Sequence, residues 1–406
     1  MSLACRSCRA PLGRTFLDLG TQPLANSFLT REEVEAGNER RYPLHARICS
    51  ECLLVQVEQV VGPEEIFGDY AYFSSYSESW LEHAARFAET AQQRLGLDPG
   101  SLVLEVASND GYLLKNFVAA DIPVLGIEPA ENVAEVAVAA GIPTRTAFFG
   151  LELAHELGPV ADLVVANNVL AHVPDLDAFV KGLATVLKSG GVVSIEVPHL
   201  LRMIEGNEFD TIYHEHLSYF SLLSASDVLA RRGLRVFDVE ELPTHGGSLR
   251  IWATREDDLA KSKAVQAMLA SERAAGLESP AGYESFAPRV ERLVADLQRF
   301  LAGTRAEGGR IAAYGAAAKG NTLLNAAGVT RQEVGYVADR SPHKQGRFLP
   351  GSHLPILDPE HIRRDRPDYL LLLPWNLREE ITAQLADIRE WGGRFVVPVP
   401  RLEVVA

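Results

Sequence analysis

Between Phe209 and Phe220 the chain reads FDTIYHEHLSYF, which places a phenol (Tyr213), two imidazoles (His214, His216) and a carboxylate (Glu215) at consecutive positions. Imidazole can take or give a proton near neutral pH. A phenol or carboxylate beside it can orient the ring, tune its pKa or pass the proton on. One histidine alone would read as a polar corner of a core strand; the four groups together read as an acid/base cluster. A metal site fits less well here. On an extended strand His214 and His216 share a face while Glu215 points away, which is awkward for three consecutive ligands.

Metal chemistry is expected at the other end of the chain. Cys5-x-x-Cys8 and Cys49-x-x-Cys52, with 40 residues between the pairs, use all four cysteines. Two such turns brought together present four thiolates in the tetrahedral set that a structural Zn²⁺ prefers. The intervening chain carries Pro11, Pro23 and Pro43 and few helical periods, so a metal would compensate for a small core. A thioredoxin-like redox site needs one CxxC, and disulfides are disfavoured in a cytoplasmic chain. With all four positions occupied by Cys, no coordination site remains for catalysis. This zinc holds structure.

These groups need elements to position them. Leu102-Val-Leu-Glu-Val-Ala107, the small-residue turn Ser108-Asn109-Asp110-Gly111 and a helical pattern from Tyr112 form a strand–turn–helix unit that opens a doubly wound α/β domain. The turn is not GxGxxG and is weak as a dinucleotide motif. About 20 residues on, Val124–Glu128 reads as a second strand ending in an acid placed to accept ribose hydroxyls. Ala161–Asn167 with Asn168, and the run to Pro198 that follows a helix-ending Gly190-Gly191 pair, read as later strands of the same sheet. This order fits an S-adenosyl-L-methionine-dependent methyltransferase, which needs no close approach of a pyrophosphate to the turn.

Before that domain, Phe67–Ser77 holds Tyr70, Tyr72 and Tyr76 in a Ser-rich run that either packs between domains or lines a pocket. Residues Trp80–Leu95 read as a helix. After the domain, His245-Gly246-Gly247 is a turn feeding a strand, serving either backbone approach to substrate or a hairpin. Asp257 to Arg305 reads as mostly helical, interrupted at Pro280 and Pro288. Arg310–Thr322 is a second strand–turn–helix unit, in which Gly315, Lys319 and Asn321 sit where a helix N-terminus suits a diphosphate. Lys344 and Arg347, in a Pro/Gly-bounded loop after Asp339, face either phosphate or solvent.

The whole chain narrows the function classes. Its 406 residues allow two to four domains, and 47% hydrophobic with 23% charged residues is ordinary for a globular protein. A formal charge of −15, from 39 basic and 54 acidic residues, argues against a general nucleic-acid binder. No apolar run reaches transmembrane length and the N-terminus lacks a signal-peptide core, so the expected address is the cytoplasm.

Seven marks in order, CRSC…CSEC around FLDLGTQPLANSF, EVASNDGYLL, NVLAHVPD, EVPHL…FDTIYHEHLSYFS, HGGSLR, YGAAAKGNTLLN and DRSPHKQGRFLPGSHLPI…LLLPWNLREEI…GGRFVVPVP, resemble the sugar C-methyltransferases of deoxysugar pathways over nearly the full length. The resemblance implies a zinc module (1–66), a central class I methyltransferase domain (67–253), a helical linker (254–308) and a C-terminal Rossmann-like domain (309–406) that helps hold a nucleotide sugar. It implies catalytic roles for Tyr72, His172, Tyr213, Glu215 and His216, with His216 as base and no role for His214. Tyr70 and Tyr76 are the alternatives to Tyr72. Cofactor contacts would come from Ala107, Asn109, Asp110, Gly111, Glu128, Phe148 and Asn168, with Phe148-Phe149 flanking adenine. The implied reaction is methylation at C3 of a dTDP-linked 4-keto-deoxysugar through an enolate, by a monomer. O- or N-methylation on the same scaffold would not need the acid/base cluster, and a nucleotide-sugar binder without turnover would need neither that cluster nor Glu128.

Overall fold

The computed structural model describes residues 3–63, 74–76, 78–256 and 259–405. Three sheets organise them. The first is antiparallel, in the order β1 (Arg14–Gln22), β2 (Tyr42–Ile48), β3 (Val55–Val57) and β9 (Ser218–Tyr219). Its last strand comes from the stretch that carries the histidines, paired through Val55 with Tyr219 and Gln56 with Ser218.

The central sheet has seven strands. Its parallel part comprises β4 (Val103–Val106), β5 (Val124–Glu128), β6 (Thr144–Thr146), β7 (Ala161–Asn167) and β8 (Leu187–Pro198). An antiparallel hairpin, β10 (Arg235–Leu242) and β11 (Ser248–Thr254), completes the order β10-β11-β8-β7-β4-β5-β6. β4 and β7 consist largely of fully buried Val and Leu, as expected for strands covered by helices on both faces. The expected central strands are present. The Gly190-Gly191 pair differs from expectation, because the preceding helix ends at Val186 and both glycines lie inside β8.

The third sheet follows β14 (Ile356–Leu357), β13 (Val337–Ala338), β12 (Ile311–Tyr314), β15 (Tyr369–Leu372), β16 (Arg394–Val397) and β17 (Glu403–Val405), all parallel except the last. Helices Lys263–Ala274 and Phe286–Ala306 precede it. Pro288 does not interrupt the second of these. It sits in the first turn, where a missing N–H costs no intrahelical bond.

The first sheet packs against both others. Phe16 of β1 stacks on Phe286 with ring centroids 4.8 Å apart, while Cys5, Cys49, Cys52 and Leu54 share a core with the helices and strands of the central sheet. Among the described residues no helix is long and apolar enough to cross a membrane.

Candidate active site

The FDTIYHEH stretch folds as a turn rather than a strand. Phe209–Thr211 form a single 3₁₀ turn, and the His216 amide donates to the Tyr213 carbonyl at 2.9 Å. Fold-back decides where each side chain goes. His216 Nδ1 lies 3.0 Å from the Thr211 carbonyl, and the Tyr213 hydroxyl lies 2.8 Å from Nε2. A carbonyl can only accept, so these partners assign the ring proton to Nδ1 and leave Nε2 as the acceptor of the phenol O–H.

His172, at the tip of the turn after β7, meets the His216 ring edge to face with centroids 4.8 Å apart. Burial pushes the His172 pKa down to about 4, and burial together with the neighbouring His172 holds His216 well below its ordinary value. Both imidazoles are therefore neutral near pH 7, the state in which a ring nitrogen can accept a proton.

Among the described residues Glu215 makes no side-chain hydrogen bond to His216. Its carboxyl turns the other way and accepts from Asn26 Nδ2 at 2.7 Å. Burial pushes its pKa up to about 7, against the pull of the Asn26 bond. His214 Nε2 lies 3.2 Å from the Pro43 carbonyl, tying the turn to β2. Tyr70 and Tyr72 lie outside the described residues. Tyr76 is described and is 74% exposed.

A second group of buried polar residues lies where the C-terminal sheet meets this turn. Trp375 Nε1 donates to Asp210 at 2.7 Å, and Lys319 Nζ donates to the His245 carbonyl at 3.0 Å while lying 4.9 Å over the Trp375 ring. Burial raises the Asp210 pKa and lifts Glu208 to about 7, while the Lys319 charge pulls both down. The Glu208 carboxylate packs so closely on Gly246 that a Cβ there would lie 2.5 Å from it, and Gly246 has φ 98°. Gly246-Gly247 thus makes a hairpin that leaves room for side chains from below.

The other C-terminal candidates have partners within the protein. Asp339 accepts from the Ala316 amide at 2.7 Å, Lys344 donates to the Ala316 carbonyl at 2.9 Å, and Arg347 reaches the Phe28 carbonyl at 3.4 Å. Gly315 has φ 89° and backs onto Pro374; Asn321 Oδ1 is buried with no hydrogen-bond partner among the described residues.

Along the carboxyl ends of β4 and β5, Glu128 is buried and accepts from the amides of Asn109 and Ala130, each at 2.9 Å. Ala107, Asn109 and Gly111 all have positive φ, which curls the turn tightly. A Cβ on Gly111 would lie 2.8 Å from Ile142. The Asn109 and Asp110 side chains accept from the amides of Ser74 and Ser75 at 2.9 and 3.1 Å. Asp110 Oδ1, Ser108 Oγ and Asn168 Nδ2 are buried and have no hydrogen-bond partner among the described residues. Phe148 is 46% exposed, whereas Phe149 packs edge to face on Phe179.

At the N-terminus the four Sγ atoms lie within 4.8 Å of one another, with Cys5–Cys52 and Cys8–Cys49 both at 3.5 Å. A tetrahedron with Zn–S bonds of about 2.3 Å has S···S edges of about 3.8 Å. Each knuckle ends in a residue of positive φ, Arg9 (66°) and Leu53 (60°), though neither is glycine.

The chain matches three sequence-family models: a zinc binding domain over residues 5–67, a methyltransferase domain over 80–239 and a C-methyltransferase C-terminal domain over 243–400. The C-methyltransferase NovU of Streptomyces niveus is 38% identical over 99% of this chain and 96% of its own length. The chain belongs to this C-methyltransferase family. Solved structures superpose in part. A Haloferax volcanii methyltransferase solved with the Trm112 activator is 15% identical, with 45% of this chain and 94% of that chain covered and a TM-score of 0.38. The magnesium protoporphyrin IX methyltransferase of Synechocystis PCC 6803 is 17% identical, with 48% and 89% covered and a TM-score of 0.34.

The enzyme is an S-adenosylmethionine-dependent methyltransferase with a zinc-binding module. The residues present fit both groups: four converging thiolates suit Zn²⁺, and the orphaned polar atoms around Asp110 and Asn168, beside a buried ribose-type acid, suit a bound nucleoside. Sequence reasoning missed Asn26, Glu208, Thr211 and Trp375. Asn26 stands inside the family mark PLANSF, yet nothing local to that mark reveals that it faces residue 215.

Proposed function

We propose that the enzyme methylates C3 of a nucleotide-linked 4-keto-deoxyhexose through an enolate, with His216 as the base. The observation that carries the reading is the oriented His216 ring, with Nδ1–H on a backbone carbonyl and an unprotonated Nε2 facing a phenol. An oxygen or nitrogen nucleophile can lose its proton as the methyl group transfers, whereas carbon must lose its proton before it becomes nucleophilic.

The adjacent C4 carbonyl makes the C3 proton acidic. The C3–H bond breaks, its proton goes to Nε2, and the electron pair moves into the C4–O enolate. S-adenosylmethionine, when bound, would supply the electrophilic methyl group for C3, its S–CH3 bond breaking to leave S-adenosylhomocysteine as the C4 ketone re-forms. The Tyr213 hydroxyl must leave Nε2 for that transfer, and the C4 oxygen is the acceptor that would draw it away. His172, neutral and beside His216, and Tyr72 are the further candidate donors to the oxyanion. Ala107, Asn109, Asp110, Gly111, Glu128, Phe148 and Asn168 are proposed to hold the cofactor. Gly315, Lys319, Asn321, Lys344 and Arg347 are proposed to hold the nucleotide, with Lys319 also the cation that lowers the pKa of Glu208 and Asp210.

Incubation with S-adenosylmethionine and a dTDP-4-keto-6-deoxyhexose tests this. The expected product carries a new methyl on C3 by NMR; methylation at oxygen or nitrogen would overturn the reading. A further consequence concerns pH. The Asn26 N–H favours the ionised form of Glu215, so Asn26→Ala should raise that carboxyl above its value of about 7. The titration of that carboxyl is expected to move to higher pH, as followed by its ¹³C NMR shift across about pH 6 to 9.

A further inference from the structure

We infer that Arg6, on the first zinc knuckle, is a positioning residue for the His172–His216 pair. Its guanidinium donates to three backbone carbonyls in separate parts of the chain: Leu217 at 2.7 Å, Val57 at 3.0 Å and Pro174 at 3.1 Å. Leu217 directly follows His216, and Pro174 lies two residues after His172. The same two segments are also joined by the Leu217 amide donating to the Ala171 carbonyl at 2.7 Å. One planar fork therefore fixes the spacing of the two segments that carry the facing imidazoles, and sets both against β3.

The fork is itself fixed from the metal side. The Arg6 amide donates to Gln56 Oε1 at 2.8 Å, and Gln56 Nε2 donates to Cys5 Sγ at 3.2 Å. Gln56 pairs with Ser218 in the β3–β9 ladder. A continuous set of hydrogen bonds thus runs from a zinc thiolate through Gln56 and Arg6 to the backbone beside both histidines. Only a guanidinium offers donors at the angles that span three carbonyls; the lysine ammonium is a compact point charge on a shorter reach.

The inference rests on the proposed roles of His172 and His216, and the test separates the two. Arg6→Lys and Arg6→Gln are compared with the wild type for zinc content, S-adenosylmethionine affinity, turnover and the long-range ¹H–¹⁵N spectrum of the imidazoles. Outer-shell hydrogen-bond partners of a site typically matter by about 10–100-fold, and a loss of that size in kcat is expected, with S-adenosylmethionine affinity and zinc content retained. The His216 pattern is expected to lose its pure Nδ1–H signature. A kcat within about twofold of wild type, or unchanged imidazole spectra, overturns the inference. So does a loss of activity that follows zinc content or melting in both variants, since Arg6 would then only hold the knuckle. Undiminished turnover in His216→Gln would instead remove the base assignment and leave the Arg6 spectra to be read on their own.

Discussion

His216→Gln should reduce kcat by about 10²–10⁴-fold, the range that a positioned general base contributes. Glutamine is close in volume and can keep a hydrogen bond to Tyr213 or to the Thr211 carbonyl, so the turn should hold its shape. It cannot accept a proton from carbon. The Glu128 region, at the ends of β4 and β5, is built from other segments, so S-adenosylmethionine affinity by calorimetry should be unchanged. A variant that kept near wild-type kcat with unchanged KM would exclude His216 as the base. Tyr213→Phe would not imitate it, because the lone pair on Nε2 survives removal of the phenol oxygen.

Removal of zinc should abolish turnover while leaving S-adenosylmethionine binding largely intact. Structural zinc binding is worth about 10–16 kcal/mol in small modules, which rivals the total stability of about 5–15 kcal/mol of an ordinary domain. Without the metal, four buried or half-buried thiols lose their shared partner, and the left-handed turns at Arg9 and Leu53 lose what holds them. The consequence reaches the site because β9, which begins two residues after His216, is a strand of the zinc module's own sheet. Asn26, Pro43 and Arg6 add contacts from the module to Glu215, His214 and Leu217. Chelation under native conditions, or Cys49→Ser, followed by calorimetry and turnover on the same sample, checks this. Full activity in a zinc-free sample would contradict it. Loss of cofactor affinity in step with turnover would show instead that the metal supports the whole molecule.

What was legible in the chain was local. Val-rich buried strands, the acid ending β5 and the paired CxxC turns each announce themselves within a dozen residues, because burial on both faces and metal geometry dictate residue type at short range. The two-residue strand β9 could not be read this way. Its partner Val55 lies far away in sequence, and two residues carry no period. The same holds for Asn26 against Glu215, separated by 189 positions, and for Trp375 against Asp210, separated by 165.

Some local signals also misled. Pro288 looks like a helix break until its place in the first turn is known, and the Gly190-Gly191 pair looks like a helix end although a strand tolerates it. An alternating reading of Tyr213–His216 put His214 and His216 on one face, whereas the turn sends His214 to Pro43 and His216 to Tyr213. The sequence leaves Tyr213 and Glu215 equally near His216; in the structure Tyr213 is hydrogen-bonded to it and Glu215 to Asn26.

The central claim is that this enzyme activates a carbon acid before any methyl group moves. The most direct measurement is deuterium wash-in at C3 of a dTDP-4-keto-6-deoxyhexose in D₂O with S-adenosylhomocysteine in place of the methyl donor, followed by NMR. The account predicts that the C3 proton signal disappears with wild-type enzyme and persists with His216→Gln. Exchange at equal rates in the two proteins, or no exchange with a sugar that the wild type does methylate, would contradict it.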